Sequence, residues 1–202
     1  PIASLTKLVT AAAWYETSDL EKTYSPNWGD LATVGEAGGL MYDDVLTGRE
    51  LLSPLLLTSS NDVGPMMRRL EPALLTRMNT WPGSYVDGSG LDASNAASTA
   101  DIADLLQRLV RETPHIIDIT QLEAYYSAEA GWLNNSPFVS DSDYRGGKHG
   151  YTEAAGRTAA VLFEEAVSDD GRVIGYVVLG TDDLIGSVAR LRELTQETVR
   201  FR

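Results

Sequence analysis

The sequence predicts an α+β fold, and three observations support that prediction. Helical patterns fill the first part of the chain, two apolar runs near its end have the pattern of an antiparallel hairpin, and an amphipathic helix follows them. Helices and strands segregated in this order pack as a helical region beside a small sheet. We expect one domain over residues 1–202, helical over about 1–145, with the sheet and closing helix over about 146–202.

The helical part should contain several separate helices. Apolar residues spaced three and four apart predict a helix over residues 2–16. Thr47 and Glu50 have capping-box spacing ahead of the run LLSPLLL, a buried helix that Pro54 should shorten or kink. A helix is predicted over about 63–77, and a loop over 81–95 follows it. The next helix should begin at the capping pair Ser98 and Asp101 and end at Pro114, and another is predicted over about 115–124.

The sheet part begins with two strand patterns. RTAAVLFEEAV and RVIGYVVLG are apolar runs joined by Ser-Asp-Asp-Gly, which is typical of a hairpin turn. Asp182 or Asp183 should then cap a final helix, whose apolar face carries Leu184, Val188, Leu191 and Leu194.

Composition excludes several classes of function. The formal net charge is −13, so a broad nucleic-acid-binding face is not expected, because such faces need clustered Lys and Arg. The chain has no cysteine, which excludes disulfides and thiolate chemistry. No apolar run is long enough for a transmembrane segment. Pro1 in place of Met indicates a cut end, with any targeting segment expected upstream.

Lysine is rare in this chain, and one of its three lysines lies one helical turn after a serine. In Ser4-Leu5-Thr6-Lys7 the serine and lysine share a helix face. A serine hydroxyl needs a base to become a nucleophile, and neutral lysine can be that base. The ordinary lysine pKa of about 10.4 must then fall by roughly three units, which burial and a second cation would both favour. An S-x-x-K pattern also arises by chance, so it indicates a nucleophile only together with other motifs.

Two more short motifs carry polar groups suited to such a site. Ser59-Ser60-Asn61 lies in a predicted turn, where a hydroxyl can relay a proton and an amide can hold a substrate amide. The alternative is that Asn61 or Asp62 only caps the next helix. Lys148-His149-Gly150 begins a predicted strand, where the ammonium can supply the second cation and the glycine permits close approach of a ligand.

Together and in this order, the three motifs resemble the S-x-x-K, S-D-N and K-T-G set of β-lactamases and penicillin-binding proteins. The segments PIASLTKLVTA, LLLTSSNDV, SGLDASNAASTADIADL and GGKHGYTEAAGRTAAV are similar to those of the serine D-alanyl-D-alanine carboxypeptidases, the low-molecular-mass penicillin-binding proteins. The resemblance covers most of the chain. It implies a β-lactamase/transpeptidase-like fold without the family's N-terminal strands, so that the sheet would have an unpaired edge.

This resemblance implies a role for each motif residue. Ser4 would be the acylated nucleophile, Lys7 its general base and Ser59 a proton relay. Asn61 would bind the substrate amide, and Lys148 would bind the terminal carboxylate and depress the pKa of Lys7. The remaining implied substrate-binding residues are His149, Gly150, Tyr151 and Thr152, with the backbone N–H groups of Ser4 and Tyr151 as the oxyanion hole.

The reaction that the resemblance implies is cleavage of the terminal D-Ala-D-Ala bond of peptidoglycan stem peptides through an acyl-enzyme. Stem peptides and β-lactam antibiotics, which would acylate the same serine, are the expected partners, and nucleic acid is not. The resemblance also implies an extracytoplasmic location and neither a metal nor an organic cofactor.

His149 departs from the family pattern, which has Thr or Ser at this place in the third motif. A protonated imidazole could replace the hydroxyl toward a carboxylate, whereas the neutral ring offers a single N–H. If it does, binding of a carboxylate-terminated substrate should weaken as the pH rises between 5 and 8. The alternative is that His149 only fills space at the strand.

Other functions share parts of this pattern. A class A β-lactamase would also need a Glu-x-x-Leu-Asn set, and the nearest match, Glu129 to Leu133-Asn134, is one residue too long. A degenerate domain could bind cell-wall peptide without cleaving it. A Ser-His-Asp hydrolase is disfavoured, because only His115 and His149 exist and no G-x-S-x-G elbow occurs.

Overall fold

The computed structural model describes residues 1–35, 38–127, 130–166 and 171–198. Its helices are α1 (Thr6–Thr17), α2 (Leu52–Leu56), α3 (Val63–Leu70), α4 (Leu74–Met78), α5 (Thr99–Glu112), α6 (Pro114–Gln121) and α7 (Leu184–Thr198). Its strands are β1 (Thr23–Tyr24), β2 (Leu46–Thr47), β3 (Ala124–Tyr126), β4 (Gly131–Leu133), β5 (Tyr144–Thr152), β6 (Gly156–Glu165) and β7 (Arg172–Thr181). Within these ranges, no helix is both long and apolar enough to cross a bilayer.

Helix α1 lies in the middle of the helical region. All its side chains from Thr6 to Trp14 are buried, so this helix is enclosed on every side and has no solvent-facing stripe over its first nine residues. A 3-10 turn at Ala3–Leu5 precedes it, and the two together account for the helix predicted over 2–16. Trp14 donates from Nε1 to the Gly48 carbonyl (2.8 Å), which ties the end of α1 to the rest of the core.

The other helices follow the predicted start and stop signals, with two exceptions. Ser98 and Asp101 exchange reciprocal N–H···O bonds at the start of α5, so this predicted cap is confirmed. Thr47 and Glu50 exchange such bonds too, but α2 begins only at Leu52, after Leu51 and without a side-chain cap bond, so the predicted capping box does not cap that helix. The single helix expected over about 63–77 is wrong, because α3 and α4 are separate. Pro72 lies between them and cannot donate the N–H that a continuous helix needs.

Strands β5, β6 and β7 form a three-stranded antiparallel sheet in that order. The predicted hairpin of β6 and β7 is confirmed, although residues 168–170 of its Ser-Asp-Asp-Gly turn lie outside the described residues. Among the described strands, β5 and β7 each pair with β6 only and are therefore the two edges of this sheet. Two short ribbons, β1 with β2 and β3 with β4, flank the helical region.

Helix α7 closes the chain against the sheet. Asp183 accepts the Gly186 N–H (2.9 Å), so it is the predicted cap of this helix. On the predicted apolar face, Leu184 and Val188 are buried, whereas Leu194 is exposed. Leu184 and Val188 join a second apolar core, which also contains Phe138, Tyr144, Phe163 and Tyr176.

Candidate active site

The first motif lies where the 3-10 turn meets α1. Lys7 is completely buried, whereas Ser4 is only partly buried. Lys7 Nζ lies 2.9 Å from Ser4 Oγ, so the serine and lysine of the predicted pair are in hydrogen-bond contact. Ala3, immediately before the serine, has a φ of 49°, a left-handed conformation that is rare for a residue with a Cβ and that stores strain.

The Lys7 amine has two further partners, and their chemistry is informative. Its Nζ lies 2.8 Å from Asn61 Oδ1 and 2.8 Å from the Ser89 carbonyl oxygen. Neither oxygen can donate, so each accepts an N–H from the amine. A neutral amine has two N–H groups and one lone pair, which matches two acceptors and one hydroxyl. These contacts therefore suit a neutral Lys7 that accepts the Ser4 proton.

The electrostatics of the site also favour the neutral amine. Burial is the largest cause and lowers the pKa of Lys7 well below its ordinary value of 10.5, and the ammonium of Lys148 lowers it further. The negative charge of Asp87 acts in the opposite direction but is the smallest of the three causes. The net direction is the one that a general base working near neutral pH requires.

The second motif lies in the turn between α2 and α3. Asn61 does not cap α3: its Oδ1 contacts Lys7, and its Nδ2 donates to the Val34 carbonyl (3.0 Å). Asp62 occupies the cap position and makes no capping bond, so the capping alternative for this motif is wrong. Ser59, two residues before Asn61, is buried and has a φ of 62°, so it is a second residue with a Cβ in the left-handed conformation.

The third motif lies within β5, which starts four residues before Lys148 and not at the motif itself. β5 runs directly past the nucleophile. A Cβ placed on Gly150 would lie 2.6 Å from the Ser4 nitrogen and 3.1 Å from Ser4 Cβ. Only glycine lets the strand approach this closely. The next residue, Tyr151, has a side chain that is 63% exposed.

Lys148 is a buried cation without a counter-charge. Among the described residues no carboxylate lies within ion-pair distance of it, and its Nζ donates to the His149 carbonyl (3.0 Å). Burial lowers the pKa of Lys148 to about 7. An unpaired ammonium of this kind raises the electrostatic potential at Lys7 and at any anion that binds beside it.

The structure corrects the prediction for His149. Burial first, and then the charges of Lys148, Arg157 and Lys7, lower the pKa of His149 to about 3. The imidazole is therefore neutral between pH 5 and 8 and presents one N–H. The protonated imidazole on which the predicted pH dependence of carboxylate binding depends is therefore not present in the free protein in that range.

The loop over residues 87–92 belongs to the site, although the sequence did not single it out. Asp87 accepts N–H bonds from Ser89, Gly90 and Asp92 at 2.6 to 2.8 Å, and it also accepts the Ser89 hydroxyl. Burial would raise the pKa of this carboxyl, but these donors outweigh it and hold the pKa below its usual range. The loop held in this way presents the Ser89 carbonyl to Lys7. The signals in the sequence were the turn pattern Asp-Gly-Ser-Gly and the family-like segment that begins at Ser89, but neither assigned a role to Asp87 or Ser89.

Two residues named from the sequence do not join the cluster around Lys7. Thr152 accepts the Ala155 N–H (3.1 Å) through its hydroxyl in the turn after β5, and its role in substrate binding stays a prediction. Asn134, from the β-lactamase-like pattern, donates to the Thr120 and Leu122 carbonyls, and Glu129 lies outside the described residues. In the described ranges no group of three His, Asp or Glu side chains is arranged to hold a metal ion.

The sequence matches a family model that describes D-alanyl-D-alanine carboxypeptidases, over residues 74–183, more than half of the chain. The matched part contains Asp87 and the third motif. The first two motifs lie upstream of it and meet it in space through the contact of Lys7 with Ser89. No curated protein sequence matches the chain significantly.

Several solved structures share the fold. A D-alanyl-D-alanine carboxypeptidase from Mycobacterium tuberculosis is 23% identical with a TM-score of 0.73, over 88% of this chain and 74% of that one. A Streptomyces DD-transpeptidase is 17% identical with a TM-score of 0.83, over 98% and 88% of the two chains. A Listeria monocytogenes penicillin-binding protein in its cefotaxime-bound form is 23% identical with a TM-score of 0.76, over 98% and 85%. The predicted α+β fold of β-lactamase/transpeptidase type is confirmed, and the family match shows that this chain belongs to the D-alanyl-D-alanine carboxypeptidase family of serine peptidases.

Proposed function

We propose that Ser4 attacks the terminal D-Ala-D-Ala amide of a peptidoglycan stem peptide and forms an acyl-enzyme, which water then hydrolyses. The family gives the reaction class, a serine-type D-Ala-D-Ala carboxypeptidase. The observation that supports these residue roles most strongly is the set of contacts at Lys7 Nζ, which joins Ser4, Asn61 and Ser89 around one buried amine.

In the first step, Lys7 Nζ takes the Ser4 proton while Ser4 Oγ bonds to the carbonyl carbon of the penultimate D-Ala. The amine thereby becomes an ammonium with three N–H donors, and three oxygens already surround it. The charge of Asp87 stabilises this ammonium. The same cage therefore suits the lysine before and after proton transfer, and little reorganisation is needed between the two states.

The negative charge that develops on the carbonyl oxygen needs donors close to the nucleophile. We assign these donors to the backbone N–H groups of Ser4 and Tyr151. The close approach of Gly150 to the Ser4 nitrogen supports this assignment, because it holds the β5 backbone against the nucleophile's own backbone. One such donor contributes about 3 kcal/mol to transition-state stabilisation.

The leaving D-Ala amine must receive a proton before it departs. Lys7 returns the Ser4 proton to it through the Ser59 hydroxyl, and Lys7 then serves as base again when water attacks the acyl carbonyl. Asn61 holds the Lys7 amine and faces the substrate amide. Lys148 supplies positive charge for the substrate carboxylate, and neutral His149 can donate one N–H beside it.

We also propose that stem peptides and β-lactams are the ligands of this site and that the protein works outside the cytoplasm, at the cell wall. The family's reaction and the cefotaxime complex of the Listeria relative support this part of the proposal.

The test is the intact mass of the protein after incubation with benzylpenicillin, followed by peptide mapping. We expect one covalent adduct on the peptide that contains Ser4. The Ser4→Ala variant should show no adduct, and the control Ser94→Ala, which removes an exposed serine hydroxyl elsewhere, should be acylated like the unchanged protein. No adduct on the unchanged protein, or an adduct that persists in Ser4→Ala, would contradict the assignment.

A further inference from the structure

A cleft of about 380 Å³ opens beside the third motif and is not explained by the roles given above. His149 and Arg157 line it from the sheet, and Asp182 and Asp183 line it from the junction of β7 and α7. Asn135 lines it from the loop after β4. The cleft is therefore continuous with the strand that passes the nucleophile.

The register of the sheet places Arg157 next to this motif. Arg157 on β6 is the direct cross-strand partner of Tyr151, and His149 is two residues before Tyr151 on β5. Because side chains alternate along a strand, His149, Tyr151 and Arg157 lie on one face of the sheet. A long side chain reaches its diagonal neighbour across such a pair. Arg157 can thus extend to the part of the cleft that His149 lines.

The charge of Arg157 is available for a ligand. It makes no ion pair with any carboxylate of the described residues, and its guanidinium lies 5.5 Å from the centre of the exposed Tyr151 ring. Two carboxylates line the same cleft: Asp183 accepts the Gly186 N–H, and neither Asp182 nor Asp183 is within ion-pair distance of Arg157. Unlike lysine or histidine, arginine keeps its charge at every working pH.

The other cationic groups beside the motif are weaker candidates for holding an anion. Lys148 is close to losing its proton at neutral pH, and His149 is neutral. The K-T-G hydroxyl of the family is missing at His149. A substrate that ends in a free carboxylate therefore needs another donor at this place.

We propose that Arg157 is a specificity-determining residue that binds the C-terminal carboxylate of the substrate in this cleft, through the two parallel N–H···O bonds that a guanidinium forms with a carboxylate. This inference rests on the proposed function and adds the group by which the enzyme selects free peptide ends. Amides and esters of the same peptide should be poor substrates because they carry no anion for Arg157.

The test compares two N-acylated tripeptides that end in D-Ala-D-Ala, one with a free carboxylate and one with a C-terminal carboxamide. The measured quantity is kcat/KM for each. We expect the unchanged protein to prefer the acid, and Arg157→Gln to reduce this preference at least tenfold, mainly through KM for the acid. Arg157→Lys should restore part of the preference, since it keeps the charge but not the fork. Arg190→Gln, which removes an exposed arginine on α7, should leave the preference unchanged.

The control for folding is the urea-unfolding midpoint, which should be the same for Arg157→Gln and Arg190→Gln, because neither side chain is part of the apolar core. If Arg157→Gln retains the full preference for the acid, the inference is overturned. Equal cleavage of acid and amide by the unchanged protein would overturn it as well. Failure of the proposed function would look different, since the unchanged protein would then form no Ser4 adduct with benzylpenicillin.

Discussion

Replacing Lys148 by Met should make the protein more stable and less active. Lys148 is buried with no counter-charge among the described residues, and burial lowers its pKa from 10.5 to about 7. A difference of 3.5 pKa units between unfolded and folded protein corresponds to about 5 kcal/mol, at most, of stability lost to the buried charge. Losing the hydrogen bond to the His149 carbonyl costs about 1 kcal/mol in return. The net gain for Lys148→Met is therefore at most about 4 kcal/mol.

The sign of the pH dependence makes this prediction specific. Below about pH 7 the folded protein must carry the buried ammonium, so the full cost is present there. Between about 7 and 10.4 the folded state has released the proton while the unfolded state still holds it, so stability rises with pH. The advantage of Lys148→Met should accordingly be largest near pH 6 and shrink toward pH 10.

The assay is urea unfolding of the unchanged protein and of Lys148→Met at pH 6, 8 and 10, with Lys22→Met, which changes an exposed lysine, as the control. We expect Lys148→Met to be more stable at pH 6 by at least about 1 kcal/mol, equivalent to roughly 2 to 4 °C in Tm. Its acylation by benzylpenicillin should be slower, because the amine of Lys7 loses a neighbouring positive charge. A variant less stable than the unchanged protein at pH 6, or a gain that does not shrink with pH, would refute the reasoning.

Three further predictions concern the neighbours of the nucleophile. Gly150→Ala should slow acylation about 100-fold, because a Cβ 2.6 Å from the Ser4 nitrogen must push the backbone away by about 0.8 Å. In the control Gly175→Ala the new Cβ meets only the ends of leucine side chains. Similar acylation rates for the two variants in a stopped-flow assay would contradict this prediction. His149→Asn should leave the pH dependence of KM between pH 5 and 8 unchanged, because the imidazole is already neutral there. If KM of the unchanged protein shows an inflection in this range that the variant lacks, the imidazole titrates there and the prediction is wrong. Asp87→Asn should lower the free energy of unfolding, measured with urea at pH 7, by about 2 kcal/mol and should slow acylation, because the loop loses charge-assisted hydrogen bonds. An unchanged free energy of unfolding would show that this carboxylate does not hold the loop.

Much of the fold was predictable because its signals are local. The capping box at Ser98 and the hairpin of β6 and β7 depend on residues close in sequence, and they appear as predicted. The single helix predicted over about 63–77 is wrong because Pro72 interrupts it, so that the apolar periodicity continues across a break in the helix. The three motifs were found through their resemblance to a family, since each pattern alone is common.

The rest of the site depends on contacts between distant residues, which no local pattern reveals. The Ser89 carbonyl reaches Lys7 from 82 positions away, and Asp87 matters because it fixes that loop. The neutrality of His149 follows first from burial and then from neighbouring positive charge, chiefly that of Lys148, and neither can be read from the sequence alone. Likewise, the strand register that sets Arg157 beside the third motif is known only from the structure.

The central claim is that Lys7 is uncharged in the free enzyme and can take the proton of Ser4. The direct measurement is an NMR titration of protein labelled with ¹³C at lysine Cε. Only three lysines contribute signals, and the variants Lys22→Arg and Lys148→Arg assign them. We predict that the Lys7 signal titrates with a midpoint well below 10.5 and that this midpoint moves upward in Lys148→Met. A Lys7 midpoint near 10.4 would contradict the account, because the amine would then be an ammonium at every pH at which the enzyme works.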